Sequence, residues 1–249
     1  MATTTTYAAS LARRILAGAG ALSLVPYAID PDSYLSVLAH GVDEQGRFIV
    51  AVTAREAEQT GDAPVRIDGI KKALELDVDI LIASIHALAQ VTWLEVGEAA
   101  PGFGLAPSAE IRLGVLEADT LYVRAPHGTT RCEFAEVLAG ADLLEVDALN
   151  GLDAREQVAR LSDSQLSELL DGVAAGTVSG QLLSEHSRPV CAAHRDRIWV
   201  ADIDARGLVL LHAGAEQTTT TLLHFAEPVS SLPDLAWALN TLAFQTSAR

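Results

Sequence analysis

Between Arg197 and His212 the pattern of apolar residues broken by one polar turn predicts two strands. Ile198, Val200 and Ile203 mark the first, Leu208 to Leu211 the second, and Asp204-Ala205-Arg206-Gly207 is a tight turn between them. A third strand is predicted over Thr218 to Phe225, where the run Thr218 to Thr221 suits a strand with one wet face. After Ala226-Glu227-Pro228-Val229-Ser230-Ser231 the period changes to that of a helix. Leu232, Leu235, Ala236, Leu239 and Leu242 share one face, with Ser231, Pro233 and Asp234 as start signals. The acidic stretch Asp142 to Ser184 also reads as helical. Leu166, Leu169, Leu170 and Val173 recur at i, i+3, i+4 and i+7, Ser162 and Gln165 have capping-box spacing, and Gly172 and Gly176 end the run.

The first half of the chain is patterned differently. Tyr7 to Ala17 predicts a helix with Leu11, Ile15 and Leu16 on one face and Arg13 and Arg14 turned elsewhere, ended by Gly18 and Gly20. Ala21 to Ala28 is a strand candidate broken by Pro26. A hairpin follows, with Tyr34 to His40 as a buried strand, Asp43-Glu44-Gln45-Gly46 as the turn and Arg47 to Thr53 as the return. Glu56 to Ala63 is polar, a loop or short helix. Val65 to Leu76 starts as a strand, Ala87 to Val96 is another, and Gly97 to Pro107 is a loop. Glu110 to Leu116 and Thr120 to Arg124 form a second hairpin across Glu117-Ala118-Asp119, and Phe134 to Leu138 begins a short helix. Antiparallel strands joined by short turns predict an α+β chain with a barrel or meander, not a parallel α/β sheet. The shift in composition puts a domain boundary near Gly140 to Gly151.

Charge narrows the function classes. With 33 acidic against 17 basic residues the net charge is −16, which repels phosphate backbones and anionic lipid, so neither nucleic acid nor a membrane surface is an expected partner. Ile80 to Leu94 carries no charge but is shorter than the roughly 20 residues of a membrane span, so it is read as core. Cys132 and Cys191 cannot form a disulfide framework and are read as reduced thiols of a cytoplasmic protein; Met1 to Thr6 is no signal peptide.

Two segments carry a resemblance. Asp43-Glu44-Gln45-Gly46-Arg47-Phe48-Ile49-Val50-Ala51-Val52-Thr53 resembles the hairpin of the FMN-binding split β-barrels related to pyridoxamine phosphate oxidase. His224-Phe225-Ala226-Glu227-Pro228-Val229 resembles the C-terminal companion domain of haem-utilisation proteins. The resemblance implies an antiparallel split β-barrel over 7–139, a smaller α/β companion domain over 142–249, and a homodimer. It would set Thr53 and Arg55 on a flavin phosphate. This chain continues Ala54-Arg55-Glu56-Ala57-Glu58-Gln59, where flavin binders place a Ser or Thr and a Lys or Arg, and Glu56 and Glu58 would repel a phosphate. Haem is therefore the cofactor the resemblance points to ahead of FMN. The companion domain's histidine-bearing stretch corresponds to Leu161 to Ser167, which has no histidine here.

Seven histidines remain, and none forms a short paired motif. His224, His212 and His194 are the candidate haem ligands in the second half. Simple pairing sets His212 opposite Thr218 and His224 opposite Arg206, roughly 20 Å apart, so the two cannot share one metal within a subunit. Cys191 and His194 could occupy one helical turn, but zinc needs more ligands than that. Glu133 with Glu136, and Asp202 with Asp204, are read as solvated surface pairs. No nucleophile elbow, phosphate loop or dinucleotide fingerprint is present, so no catalytic residue is named. Three readings follow: a haem-associated protein with a degraded flavin site; a non-enzymatic regulatory protein that binds a partner protein; and an FMN-dependent oxidoreductase.

Overall fold

Leu11, Ile15 and Leu16 are buried, on helix α1 (Ala2–Arg14) and the wider turn Ile15–Ala19 that ends it. Gly18 closes that turn at φ 102°, a conformation that side chains with a Cβ avoid. This computed structural model describes residues 2–73, 79–105, 108–139, 152–187 and 190–247. Its contacts divide the chain into two units, Met1–Lys71 with Ala83–Leu143 and Lys72–Ile82 with Leu144–Arg249. The segment 140–151, where the sequence suggested a boundary, lies outside the described residues, as do residues 74–78 of the ambiguous stretch Val65 to Leu76.

The fold is α+β with antiparallel sheets. In the first unit, β1 (Ala21–Val25), β2 (Ala39–Val42), β3 (Phe48–Thr53), β4 (Pro64–Lys72), β5 (Leu81–Trp93), β6 (Ile111–Glu117), β7 (Thr120–Ala125) and β8 (Gly128–Glu133) build one sheet. Its main path runs β1-β4-β5-β6-β3-β2, and β7 and β8 branch from β5. The short helices α2 (Ala54–Thr60) and α3 (Phe134–Ala139) follow β3 and β8. Phe48 to Val52 is buried on both faces, which explains its unbroken apolar run. The turn before it is held by Asp43, whose carboxylate accepts from the Gln45 and Arg47 amides and the Arg47 guanidinium.

Several expectations change here. Tyr34 to His40 is not a buried strand: Tyr34 and Leu38 are exposed, only Leu35 makes a bridge, and pairing starts at Ala39. Glu110 to Arg124 is not a hairpin. The thirteen-residue β5 is long enough to pair β6 through Gln90 to Trp93 and β7 through Ser84 to Ala87, so Ala118-Asp119 is a corner between two partners of one strand. The partner of β7 is β8, which the sequence reading missed because Gly128 to Glu133 has almost no apolar residue. Within Ile80 to Leu94 the strand is Leu81–Trp93, buried on both faces from Ile82 to Ile85 and on one face after that, with Leu88 exposed. Arg14 is buried although the helix pattern turned it away, because α1 is flanked by β7, β8 and α3.

The second unit has α4 (Leu152–Val158), α5 (Asp163–Ala174), β9 (Gly180–His186), β10 (Arg197–Asp204), β11 (Gly207–Ala213), β12 (Thr218–His224) and α6 (Leu232–Ser247). The four strands pair in the order β10-β11-β12-β9. The capping box at α5 forms as the spacing indicated. Gly180 to Ser184 is strand, not helix. The threonine run has no wet face at its centre, since Thr220 and Thr221 are both buried. Asp202 and Asp204 are buried as well, not surface carboxylates. One sheet face packs Val200, Leu208, Leu210 and Leu223 against Leu166 and Leu169 of α5 and Leu235 and Leu239 of α6.

Candidate functional site

The sheet register sorts the candidate histidines. His212 pairs with Ile198 on one side and Thr219 on the other, and His224 pairs with Gly207. Each partner is one residue from the simple estimate, because the β11–β12 turn closes on Ala213 and Thr218. Side chains alternate between faces along a strand. His212 is therefore on the face of Leu208 and Leu210, which packs against the helices, and His224 is on the opposite face with Thr220 and Leu222. The two are half-buried on different sides of one sheet.

His194 is exposed on the single 3-10 turn Ala192–His194, its amide donating to the Cys191 carbonyl at 2.9 Å. Its ring meets Trp199 edge-on, centroids 5.7 Å apart. The turn thus unites Cys191 and His194 as the spacing suggested. Among the described residues, however, no three metal-capable side chains gather anywhere.

Trp199 lines a cavity of about 250 Å³ between the edge strand β10 and the helices α4 and α5. Val158, Leu161, Leu166 and Ile198 give it apolar walls, and Arg155, Arg197 and Asp163 supply charge. Among the described residues neither guanidinium has a hydrogen-bond or ion-pair partner. None of the three candidate histidines is among the lining residues: His212 pairs opposite Ile198, on the face that packs against the helices, while His194 rests against Trp199, which alternates to the other face. The sequence reading missed Arg155 and Arg197. They stand far apart in the chain, on a helix and a strand, and no spacing rule joins them. The scarcity of basic residues was the only hint.

In the first unit Thr53 is fully occupied. Its hydroxyl donates to Glu56 Oε2 at 2.6 Å and accepts from the Glu56 amide at 3.2 Å, a closed capping box on α2. Glu56 Oε1 also accepts from the Ser36 amide at 2.8 Å. Burial pushes the Glu56 carboxyl up, but the hydrogen bonds from Ser36 and Thr53 outweigh it and hold the pKa below the ordinary value. Arg55 is exposed, and Ala57 is buried beneath the helix. Thr53 and Glu56 thus bind each other, which the sequence reading did not foresee although Thr-x-x-Glu is the capping-box pattern.

Other titratable groups are structural. Burial lowers the pKa of His40, whose Nε2 hydrogen-bonds the Ile15 carbonyl at 2.9 Å, the bond opposing that shift. His127, half-buried against Tyr7, is lowered by burial too. Asp68 accepts from Arg66 and pairs with His86 Nδ1 at 2.8 Å; burial raises its pKa, but these partners bring it below normal. Glu133 and Glu136 are exposed as expected, and with burial they raise the pKa of Cys132.

The comparisons give a fold. A heme binding protein from Mycobacterium smegmatis is similar in structure over 97% of this chain and 98% of that one, with TM-score 0.52 and 16% identity. That likeness establishes shared architecture. A protein of unknown function from Agrobacterium tumefaciens strain C58 covers 94% of both chains at 17% identity, with TM-score 0.34. No family model matches the chain, and no curated protein does. Among the described residues no helix is long and apolar enough to cross a membrane.

Proposed function

We propose that this protein associates with haem, binding it, trafficking it or assisting its degradation, and that it works without bound flavin. The observation that carries this reading is the near full-length likeness to a protein named for haem binding. We further read the first unit as a split β-barrel, because β5 shares its length between β6 and β7, and the protein as a cytoplasmic homodimer. Haem iron takes an axial imidazole, and the second unit offers His212, paired opposite Ile198, and His194, against the Trp199 ring. We rank His212 first, because it shares the sheet face of Ile198 and Leu210, which packs against the helices. Arg155 and Arg197 suit propionate carboxylates. The cavity itself is smaller than the 300–1,000 Å³ typical of pockets that bury a drug-sized ligand, so it can take an edge of the macrocycle, not the whole.

Titration of the full chain with hemin tests the reading. The expected result is a Soret band shifted from that of free hemin, lost when His194→Ala and His212→Ala are combined and retained in His224→Ala. A spectrum matching free hemin, or a shifted band that survives loss of all three histidines, would overturn it. A second reading, a regulatory protein that binds a partner protein, is favoured by the capping box: with Thr53 and Glu56 bound to each other, the phosphate position keeps only Arg55 as a cation. The FMN-dependent oxidoreductase ranks third for the same reason.

A further inference from the structure

We propose that the cavity beside β10 is a binding site for a small organic anion, a carboxylate carried on an aromatic ring. The site is the cavity that the haem reading also uses, but the inference needs no haem. A protein with 33 acidic and 17 basic residues places two arginines, Arg155 of α4 and Arg197 at the start of β10, among the residues that line one cavity of about 250 Å³. Neither is neutralised by an ion pair among the described residues. Asp163 is the one carboxylate on the lining, and it stands in the first turn of α5, where the helix dipole favours negative charge. Two positive charges against one leave the cavity locally cationic inside an anionic protein, and that selects a monoanion.

Size and walls define the rest of the ligand. An apolar cavity of about 150 Å³ holds benzene, so this one has room for a single ring with a short acidic arm. Val158, Leu161, Leu166 and Ile198 supply apolar contact for the ring. A guanidinium meets a carboxylate through paired N–H donors, and such charge-assisted bonds are among the stronger ones in proteins. The acid is therefore bound by its charge and its ring together. The same molecule as a neutral amide keeps the ring contact alone.

Calorimetric titration of the full chain with 3-phenylpropionate, and in parallel with 3-phenylpropanamide, tests this. The expected result is saturable binding of the acid at one site per chain, with the amide weaker by roughly tenfold or more. Arg155→Met and Arg197→Met should each weaken the acid by about the same factor while leaving the urea unfolding midpoint unchanged, and Arg124→Met, in the first unit, should bind as the unaltered chain does. Acid and amide binding alike, acid binding that persists in the Arg155→Met, Arg197→Met double variant, or no saturable heat would each overturn the proposal. The probe contains no iron, so a null result alongside a positive hemin titration removes this site and leaves the haem reading standing.

Discussion

Glu56 shows how one side chain can exclude a function while securing a fold. Its carboxylate accepts from the Ser36 amide, the Thr53 hydroxyl and the Thr53 amide, tying the loop before β2 to the end of β3 and to α2. These bonds favour the ionised form, so the folded pKa lies below the unfolded one. The sign follows: this stability is present above the unfolded value, about 4.3, and is lost as pH falls through the folded value. Urea midpoints measured from pH 6 down to pH 3 should therefore fall more steeply for the unaltered chain than for Glu56→Gln, which has no proton to take up; parallel curves would refute the assignment. Thr53→Ala should cost about 1 kcal/mol at neutral pH, the usual loss of a helix cap. The carboxylate that the sequence reading treated as a repellent to phosphate thus acts first as a cap, and its partner Thr53 is the residue the resemblance had assigned to the phosphate.

At the scale of elements, the hairpin of β10 and β11 was legible because its strands are short apolar runs and its turn is polar. The reason for its glycine was not. Gly207 reads as a turn residue, yet what requires it is closeness: a Cβ there would lie 2.1 Å from the Leu223 carbonyl oxygen of β12. Gly207→Ala should then destabilise the second unit by about 1–3 kcal/mol, the range for overpacking a tight interior, and a urea midpoint equal to that of the unaltered chain would contradict this. The same limit explains the other departures. Pattern reports whether a residue is apolar, not which strand it meets. The partner of β7 could not be read because β8 is polar, and the buried Asp202, Thr220 and Thr221 could not be read because polar letters give no sign of burial. The capped α5 and the apolar face of α6 were legible, since caps and 3.6-residue periods are local. The cavity was not: its two arginines are far apart in the chain, one on α4 and one on β10, and only the folded second unit sets both on its lining.

At the scale of the whole molecule, the remaining question is assembly. On the branch of the first sheet, Tyr122 pairs with His86, and Leu88 is two residues further along the same outward face of β5. Leu88 is 63% exposed and Tyr122 48%. They are diagonal neighbours, close enough to form one apolar patch, with Arg124 and the Arg131–Glu133 ion pair of β8 at its rim. Single exposed apolar residues need no explanation, but an apolar patch with a polar rim is suited to a symmetric contact, in which the same surface of each copy covers the other. A homodimer through this face should scatter light as twice the 26.2 kDa chain mass at micromolar concentration. Leu88→Glu would place two like charges near the two-fold axis in the dimer, while on a free chain it only adds a solvated carboxylate. The variant is therefore expected to run at the monomer mass with its secondary structure intact by circular dichroism. A dimer that persists in Leu88→Glu would move the interface to another surface, and the monomer mass for the unaltered chain would remove the dimer altogether.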